Sequence, residues 1–218
     1  MTVHNLESNS SILNQFMAEV RDVGIQTDRM RFRRNIERIG EIMAYEISKT
    51  MKYKTIDVQT PLGIQPVSVP DESIVLATIL RAGLPFHQGF LSYFDQAENA
   101  FISASRKYSD DHSDFTIELG YLSSPSIEGK TLIIIDPMLA TGRSLDLAYQ
   151  FLLKRGEPAQ IHIACVIASR YGVEEAIRLF PNDITTIWAG AIDPLLNDKA
   201  YIVPGLGDAG DLAYGEKI

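Results

Sequence analysis

The sequence predicts an α/β protein built on a mostly parallel, twisted sheet with helices on its faces. From residue 74 onward, short apolar runs alternate with turn signals and amphipathic segments, a rhythm typical of parallel strands joined by helices. The chain has 218 residues, of which 45% are hydrophobic, and this suits one compact domain with a sizeable core. No internal repeat, low-complexity tract or linker divides the sequence, so we predict a single domain over residues 1–218.

The N-terminal region is predicted to be a helical extension over about residues 1–53. The capping residues Thr27 and Asp28 precede a long amphipathic helix, predicted from about 28 to 51. Its apolar positions recur at helical spacing and are Ile36, Ile39, Met43 and Ile47. His4 is assigned to a loose terminus.

Arginines crowd the start of this helix. They are Arg29, Arg31, Arg33, Arg34 and Arg38. The simplest interpretation is a solvated helix face, and the alternative is a subunit contact or an effector-anion site.

The remaining elements follow in chain order. The stretch "TIDVQTPLGIQPVSVP", residues 55–70, has two β-rich arms around Leu62-Gly63 and predicts a hairpin arm outside the parallel core. The polar stretch "KYSDDHSD" and the following "FTIELGYLS" predict an exposed arm over 107–123 with a mobile tip. Core strands are predicted near residues 74–80, 100–104, 131–135, 164–168 and 183–191. Core helices are predicted near residues 85–94, 144–155 and 173–180.

Composition excludes several classes of protein. The formal net charge of -8 argues against nucleic acid or an anionic membrane as the main partner, because both require a basic face. The sequence has no apolar run of roughly 18 residues and no secretion leader, so we expect a soluble, cytoplasmic protein. The single cysteine, Cys165, lies in the apolar run "IHIACVIAS", where a buried small hydrophobe is favoured over a reactive thiol.

The loop "DPMLATGRS" after the strand at 131–135 is the strongest functional signal. It lacks the lysine of a Walker phosphate loop and the glycines of a dinucleotide fingerprint. Thr141 and Gly142 form a bend, and Ser144 is the predicted N-cap of the next helix. Backbone N–H groups at such a helix start suit a phosphate monoester. Asp136 is better placed to accept hydrogen bonds from sugar hydroxyls, so the loop predicts a ribose-phosphate site.

Three motifs then point to one family. The segment "DPMLATG" resembles the phosphoribosyl-pyrophosphate motif of type I phosphoribosyltransferases in the form found in uracil phosphoribosyltransferases, where Pro137 replaces a second acid. The stretches "ILRAGL" at 79–84 and "YIVPGLGDAGD" at 201–211 match the same family at compatible spacing. The resemblance covers the chain from about residue 27. It implies the type I phosphoribosyltransferase fold, with a C-terminal base-binding hood over about 190–218.

The resemblance implies a pentosyltransferase that converts uracil and 5-phospho-α-D-ribose 1-diphosphate (PRPP) to UMP and diphosphate in pyrimidine salvage. It implies a cis peptide beside Arg81 in the diphosphate loop. The resemblance also makes Arg106 a second diphosphate ligand. The family usually has Asn-Glu after this arginine, whereas this sequence has Lys107-Tyr108. The PRPP-binding residues that it implies are Arg81, Arg106, Asp136, Pro137, Met138, Leu139, Ala140, Thr141, Gly142, Arg143, Ser144 and Asp208.

The glycine-rich C-terminal stretch implies that uracil is recognised by the backbone. By resemblance the contacts fall on Ile202, Gly207, Asp208 and Ala209. Main-chain N–H and C=O groups can match the two carbonyls and the N3–H of uracil. Cytosine reverses the pattern at position 4 and would leave buried groups unpaired.

Catalysis is assigned to Asp208 and Arg106. The alternative for Asp208 is an Asx-type turn. We predict no strong general base, because His87, His112 and His162 look structural or exposed. No His or Cys cluster has metal-ligand spacing, so we predict no metal-binding residues and expect Mg²⁺ to arrive with PRPP.

Two alternatives to an active enzyme stay open, because the same fold serves regulatory proteins and because Arg143 stands where the family commonly has a small residue. One is a regulatory RNA-binding relative that responds to pyrimidines, against which the net charge argues. The other is a catalytically silent PRPP sensor. The family also implies a homodimer or homotetramer, with GTP as an effector in some members, and the hairpin and the arginine-bearing helix are natural subunit contacts.

Overall fold

The computed structural model describes residues 1–108 and 115–216, with the backbone alone for 104–108 and 115–119. The strands are β1 (Thr2–Asn5), β2 (Tyr53–Thr60), β3 (Gly63–Pro70), β4 (Ile74–Leu80), β5 (Glu98–Tyr108), β6 (Phe115–Ser123), β7 (Thr131–Ile135), β8 (Met138–Leu139), β9 (Gln160–Ser169), β10 (Thr185–Asp193), β11 (Leu195–Leu196) and β12 (Ile202–Val203). The α-helices are α1 (Ile12–Arg21), α2 (Arg29–Ser48), α3 (Gly83–Leu91), α4 (Arg143–Leu152), α5 (Arg170–Leu179) and α6 (Ala209–Tyr214).

The central sheet has the order β1-β10-β9-β7-β4-β5-β6, and β8 pairs with β9 beside it. Its pairs are parallel except that β5 and β6 are antiparallel. The prediction of a mostly parallel sheet flanked by helices is therefore confirmed. Because the strands are parallel, the carboxyl ends of β4, β5, β7, β9 and β10 meet at one edge of the sheet.

Strand β7 shows why this sequence forms a central strand. Its residues are β-favouring and buried throughout, which is the pattern of a strand covered on both faces. Ile133 and Ile135 join the core formed with α1, α2 and α3. Leu132 and Ile134 point to the opposite core, formed with α4 and α5. The alternation of side chains along a strand thus places one core on each side of the sheet.

The predicted hairpin is present as an arm outside the central sheet. Strands β2 and β3 pair from Tyr53 with Pro70 to Thr60 with Gly63, and they form a two-stranded sheet of their own. Their side chains are largely exposed, and Leu62 at the tip is 100% exposed. The second predicted arm is formed by the antiparallel β5 and β6, while its tip, residues 109–114, lies outside the described residues.

The assignment of His4 to a loose terminus is wrong. His4 lies in β1, where it pairs in register with Trp188 of β10 and stacks on its ring at 4.1 Å between centroids. The strand is short and its partner is distant in sequence, so no local signal marks it. Trp188 in turn donates from Nε1 to Nδ1 of His162 at 3.1 Å. His162 and His87 are buried, in agreement with the prediction that they are structural or exposed rather than catalytic. His112 lies outside the described residues.

Most of the arginines of α2 are occupied within the chain. Arg34 contacts Glu37 and Glu41 of its own helix. Arg38 donates to Asn35 and lies 5.1 Å from the ring centroid of Phe16. Arg33 reaches the C-terminal helix, as described below. Neither interpretation from the sequence anticipated that this cluster ties α2 to α1 and α6.

Glu19 of α1 is the buried acid that anchors α2. Arg31 donates to both of its carboxylate oxygens, at 2.7 and 2.8 Å, and Asn35 Nδ2 donates to Oε2 at 2.6 Å. Hydrogen bonds from Arg31, then Gln15 and Asn35, lower the pKa of Glu19 from 4.5 to about 2. Because the folded-state pKa is lowered, the stabilisation is complete above pH 4.5 and is lost as the pH falls toward 2.

We expect Glu19→Gln to lower the free energy of unfolding by about 1–3 kcal/mol at pH 7, the usual loss for hydrogen bonds to a charged group. At pH 3 the loss should be smaller, because the unfolded chain, in which Glu19 has a pKa near 4.5, has already taken up a proton there. Urea unfolding at both pH values measures this difference. The control is Glu46→Gln, which removes the exposed pair with Lys49 and should change stability by less than about 0.5 kcal/mol. Equal losses in the two variants would contradict the prediction.

Candidate active site

The loops predicted to carry function converge at the carboxyl edge of the sheet. Thr78 pairs with Ile135 and Ile135 with Ala164, so the residues that follow β4, β7 and β9 lie side by side. Arg81 follows β4, Asp136 follows β7, and α5 begins directly after β9. This edge is where open parallel sheets bind ligands.

The loop predicted to bind phosphate, residues 136–144 and called the phosphate loop below, leads into α4 through a glycine. Gly142 has φ of 77° and is the N-cap of the helix, without a side-chain cap. Its left-handed conformation turns the chain so that Arg143 is already the first helical residue. The prediction that Ser144 is the N-cap is therefore wrong by two positions, because the glycine ends the loop earlier. The first turn of α4 leaves backbone N–H groups without intrahelical acceptors, which makes an anion site.

The start of α5 supports this loop from below. Ser169 Oγ donates to the carbonyl of Ala140 at 2.6 Å and accepts from the Gly172 N–H at 2.8 Å. A Cβ on Gly172 would lie 2.5 Å from the same carbonyl, so only glycine fits there. Sequence analysis missed both residues as supports of the phosphate loop. The available signal was "SRYG", a turn that follows a buried strand and ends in glycine.

The first half of the phosphate loop, residues 137–139, has an extended backbone that pairs with the sheet. Met138 and Leu139 form β8 and pair with Ile167 and Ala168 of β9. The Ile167 N–H donates to the Pro137 carbonyl at 3.0 Å. These bonds fix the backbone of Pro137, Met138 and Leu139 to the sheet.

Asp136 is partly buried at the end of β7. Its backbone N–H donates to Ala164 O at 3.1 Å, and the Met138 N–H donates to its Oδ1 at 3.2 Å. Burial raises the pKa of Asp136 from 3.8 to about 7, and the hydrogen bond from Met138 only partly opposes this. The carboxyl therefore changes its charge near neutral pH.

Arg81 joins the loop after β4 to the C-terminal segment. The Leu80–Arg81 peptide is cis, as the family resemblance implies. Arg81 Nη2 donates to Asp211 Oδ1 at 2.9 Å and also to the Gly215 carbonyl. Arg33 Nη1 of α2 donates to the Ala213 carbonyl at 2.6 Å. The predicted diphosphate ligand is thus in direct contact with the segment predicted to bind the base.

The C-terminal segment forms a tight glycine turn followed by α6. Ile202 lies in β12 and is buried, as is Ala209. Gly207 has φ of 95°. Asp208 is the N-cap of α6, and its Oδ1 accepts from the N–H groups of Gly210 and Asp211 at 2.8 and 3.0 Å. The turn role considered for Asp208 is therefore real, and any catalytic role must coexist with it.

Arg106 and Arg143 are the two remaining arginines predicted to bind PRPP. Arg106 lies in β5, opposite Ile117 of β6, and its side chain is outside the described ones. Arg143 is exposed at the first position of α4. Its backbone N–H approaches Thr141 Oγ1 at 3.5 Å.

Among the described residues, 1–108 and 115–216, no group of three or more His, Cys, Asp or Glu side chains is placed to hold a metal ion. No helix in these ranges has the length and apolar character needed to cross a bilayer. Cys165 is buried as predicted, and burial raises the pKa of its thiol.

The parallel sheet, the phosphate loop at the start of α4 and the arginine loop after β4 together define a type I phosphoribosyltransferase. Solved structures share this fold. The AQ2163 protein of Aquifex aeolicus matches with a TM-score of 0.85 and 29% identity, covering 100% of both chains. A hypoxanthine phosphoribosyltransferase of Staphylococcus aureus matches in fold, with a TM-score of 0.51 and 17% identity over 86% of this chain and 83% of that one.

Sequence comparison identifies the family within this class. The family model described as uracil phosphoribosyltransferase matches residues 7–216. A uracil phosphoribosyltransferase of Porphyromonas gingivalis is 60% identical over 100% of both chains. One from Methanothermobacter thermautotrophicus is 39% identical over 94% of this chain and 92% of that protein. The chain belongs to the uracil phosphoribosyltransferase family.

Proposed function

We propose that this protein transfers the 5-phosphoribosyl group of PRPP to N1 of uracil, giving UMP and diphosphate in pyrimidine salvage. The observation that carries the proposal is the direct contact of Arg81 with Asp211 and Gly215. This contact brings the diphosphate loop and the base-binding segment to one site, beside a loop suited to phosphate. The site therefore has a place for each part of the two substrates.

PRPP is held from three sides in this proposal. The 5′-phosphate binds at the start of α4, where Thr141, Gly142, Arg143 and Ser144 surround it, and Pro137 to Ala140 hold the approach to that site. Asp136 accepts hydrogen bonds from the ribose hydroxyls. Arg81 and Arg106 bind the diphosphate, since a guanidinium can contact two of its oxygens at once. Binding requires Arg81 to exchange Asp211 for the diphosphate.

Uracil binds over the C-terminal turn. The backbone of Ile202, Gly207, Asp208 and Ala209 supplies the donors and acceptors that match its carbonyls and N3–H. Because the buried Ile202 and Ala209 flank these groups, a base with the wrong pattern leaves them unpaired, and cytosine is rejected.

The chemistry requires positioning and charge stabilisation more than a strong base. The N1–C1′ bond forms as the C1′–O bond to diphosphate breaks, and the N1 proton leaves to solvent. Positive charge develops on the ribose, which the Asp208 carboxylate favours, and negative charge on diphosphate, which Arg81 and Arg106 favour. Mg²⁺ brought in with PRPP would neutralise part of the diphosphate charge, and no protein ligand to the metal is proposed.

A direct assay separates this proposal from its two competitors. Purified protein is mixed with uracil, PRPP and Mg²⁺, and UMP and diphosphate are measured. Formation of both products in equal amounts supports the enzyme. PRPP binding without product would favour a silent sensor, and binding of a pyrimidine-operon leader RNA without product would favour the regulatory protein. Either of the last two results would overturn the proposal.

Arg106→Ala should lower kcat/KM for PRPP by about 10²- to 10³-fold, the usual loss when one group that stabilises transition-state charge is removed. The melting temperature should stay close to that of the wild type. Steady-state kinetics with PRPP varied measures the loss. Arg178→Ala, which removes an exposed arginine on α5, is the control and should keep wild-type kinetics. Wild-type values in Arg106→Ala would show that the role carried over from the family is wrong.

We also propose that the protein is a homodimer or homotetramer. The exposed arm of β2 and β3 carries apolar side chains at Ile56, Val58, Ile64 and Val67, and exposed apolar patches commonly mark protein contacts. GTP as an effector and a cytoplasmic location stay predictions from the sequence. Molecular mass and UMP formation, each measured with and without GTP, test assembly and activation on the same sample.

A further inference from the structure

Arg21 and Asp193 form an ion pair that contacts the C-terminal turn, and neither residue is among those proposed above to contact a substrate. Arg21 ends α1 and Asp193 ends β10. Two parallel hydrogen bonds join them, each 2.8 Å long, which is the strong bidentate arrangement of guanidinium and carboxylate. Asp193 is only 5% exposed. Burial acts to raise the pKa of Asp193, but Arg21 and the Gly205 N–H outweigh it, and the pKa lies below its ordinary value.

The pair holds both sides of one glycine. The Gly205 N–H donates to Asp193 Oδ2 at 2.8 Å, and Arg21 Nη1 donates to the Gly205 carbonyl at 3.1 Å. The two peptide groups that flank Gly205 are therefore fixed by the same ion pair. We call Arg21, Asp193 and Gly205 the turn clamp.

The turn clamp lies between the two groups of residues proposed to contact uracil. Gly205 follows Ile202 by three positions and precedes Gly207 by two. Its φ is 64°, and a Cβ added there would lie 2.1 Å from the Ile202 carbonyl. Gly205 therefore packs directly against the backbone of Ile202, so a shift of Gly205 moves that carbonyl as well.

Backbone recognition depends on this spacing. Main-chain donors and acceptors cannot change rotamer to follow a displaced base, so their positions must be set in advance by supporting contacts. We infer that Arg21 and Asp193 are positioning residues for uracil: they set the distance between the backbone groups at Ile202 and those at Gly207 to Ala209. This inference rests on the proposed function and assigns base specificity to two residues that do not touch the base.

Two clamp variants and one matched control test the inference. Asp193→Asn removes the charge but keeps an oxygen acceptor, and Arg21→Lys keeps the charge but loses the planar fork. The control is Arg31→Lys, which changes a second bidentate pair that also anchors α1, through Glu19, and lies outside the turn. The kinetic measurements are kcat, KM for uracil and KM for PRPP.

We expect the clamp variants to raise KM for uracil by about 10- to 100-fold, the scale of a displacement near 1 Å, while KM for PRPP changes by less than about twofold. The control should leave both unchanged. Equal effects in clamp and control variants, or equal increases in both KM values, would show that the pair is only structural. Arg21→Lys, the milder change, decides the matter if Asp193→Asn does not fold.

Ligand binding gives an answer that is independent of turnover. Calorimetry compares UMP, CMP and ribose 5-phosphate, which share the phosphate site and differ at the base. The clamp variants should lose most of the preference for UMP over CMP and over ribose 5-phosphate, with ribose 5-phosphate binding as in the wild type. A wild type that binds UMP preferentially but forms none would overturn the proposed reaction. The ratios of UMP affinity to CMP and ribose 5-phosphate affinity in the clamp variants would then still test the inference. A wild type that makes UMP but binds it no better than CMP or ribose 5-phosphate would overturn the inference and leave the proposed reaction standing.

Discussion

Asp208→Asn should reduce kcat by about 10²- to 10³-fold while the protein stays folded. The side chain has two roles that this substitution separates. As N-cap, Asp208 uses Oδ1 to accept from the N–H groups of Gly210 and Asp211, and asparagine caps a helix about as well. As a charge, it favours the positive ribose of the transition state, and asparagine cannot do so. Single-turnover formation of UMP at saturating PRPP and uracil measures the chemical step directly.

Asp208→Ala provides the comparison, because it removes the cap together with the charge. It should lose the same factor in kcat and, in addition, about 1 kcal/mol of stability, the usual cost of losing an N-cap. Asp198→Asn, at an exposed position of the preceding turn, should match the wild type in both respects. If Asp208→Asn keeps the wild-type kcat and Asp208→Ala does not, the residue acts through the cap alone and its assignment to catalysis is wrong.

The fold was largely predictable because its signals are local. The buried run at 131–135 is β-favouring in every position and became β7. The hairpin at 55–70 followed from two β-rich arms around one turn. The short β1 was not predictable, since its four residues acquire their conformation from pairing with β10. Its partner lies far away in sequence, and only the folded chain brings His4 to Trp188.

The candidate site likewise has a part that was predicted from local signals and a part that was not. The phosphate loop, Arg81 and the C-terminal glycine turn were predicted as site elements from motifs, because glycine, proline and charge are concentrated there. The contacts that hold these motifs in position were not found. Ser169 beneath Ala140 and Arg21 beneath Gly205 join segments that are distant in sequence. Arg21 carries no pattern of its own, and "SRYG" marks only a loop after a strand, so tertiary structure was needed to identify either contact.

Ionised Asp136 is expected to lower the stability of the folded protein and to accept hydrogen bonds from the ribose of PRPP. Asp136→Asn should affect both properties. With a pKa near 7, the folded protein holds a proton that the unfolded chain releases near pH 4. Stability therefore falls as the pH rises from about 4 to 7, and the full cost is present above pH 7. In the absence of substrates, we expect Asp136→Asn to be more stable than the wild type at pH 8, by on the order of 2 kcal/mol, and close to it at pH 4. Thermal and urea unfolding at the two pH values measure this difference.

Asp136→Asn should also lower kcat/KM for PRPP, and this loss should be larger at high pH than at low pH. The ionised carboxylate is the stronger acceptor for ribose hydroxyls, so the wild-type kcat/KM for PRPP should rise through pH 7. Asp136→Asn should lose about 10²-fold at pH 8 and less at pH 6, where the wild-type carboxyl is mostly protonated. PRPP also ionises in this range, but it does so equally for both proteins, so the ratio of their kcat/KM values isolates Asp136. A ratio that does not change between pH 6 and 8 would contradict the role of this carboxylate in holding the sugar, because ionisation of the only group that differs between the two proteins would then have no effect on binding.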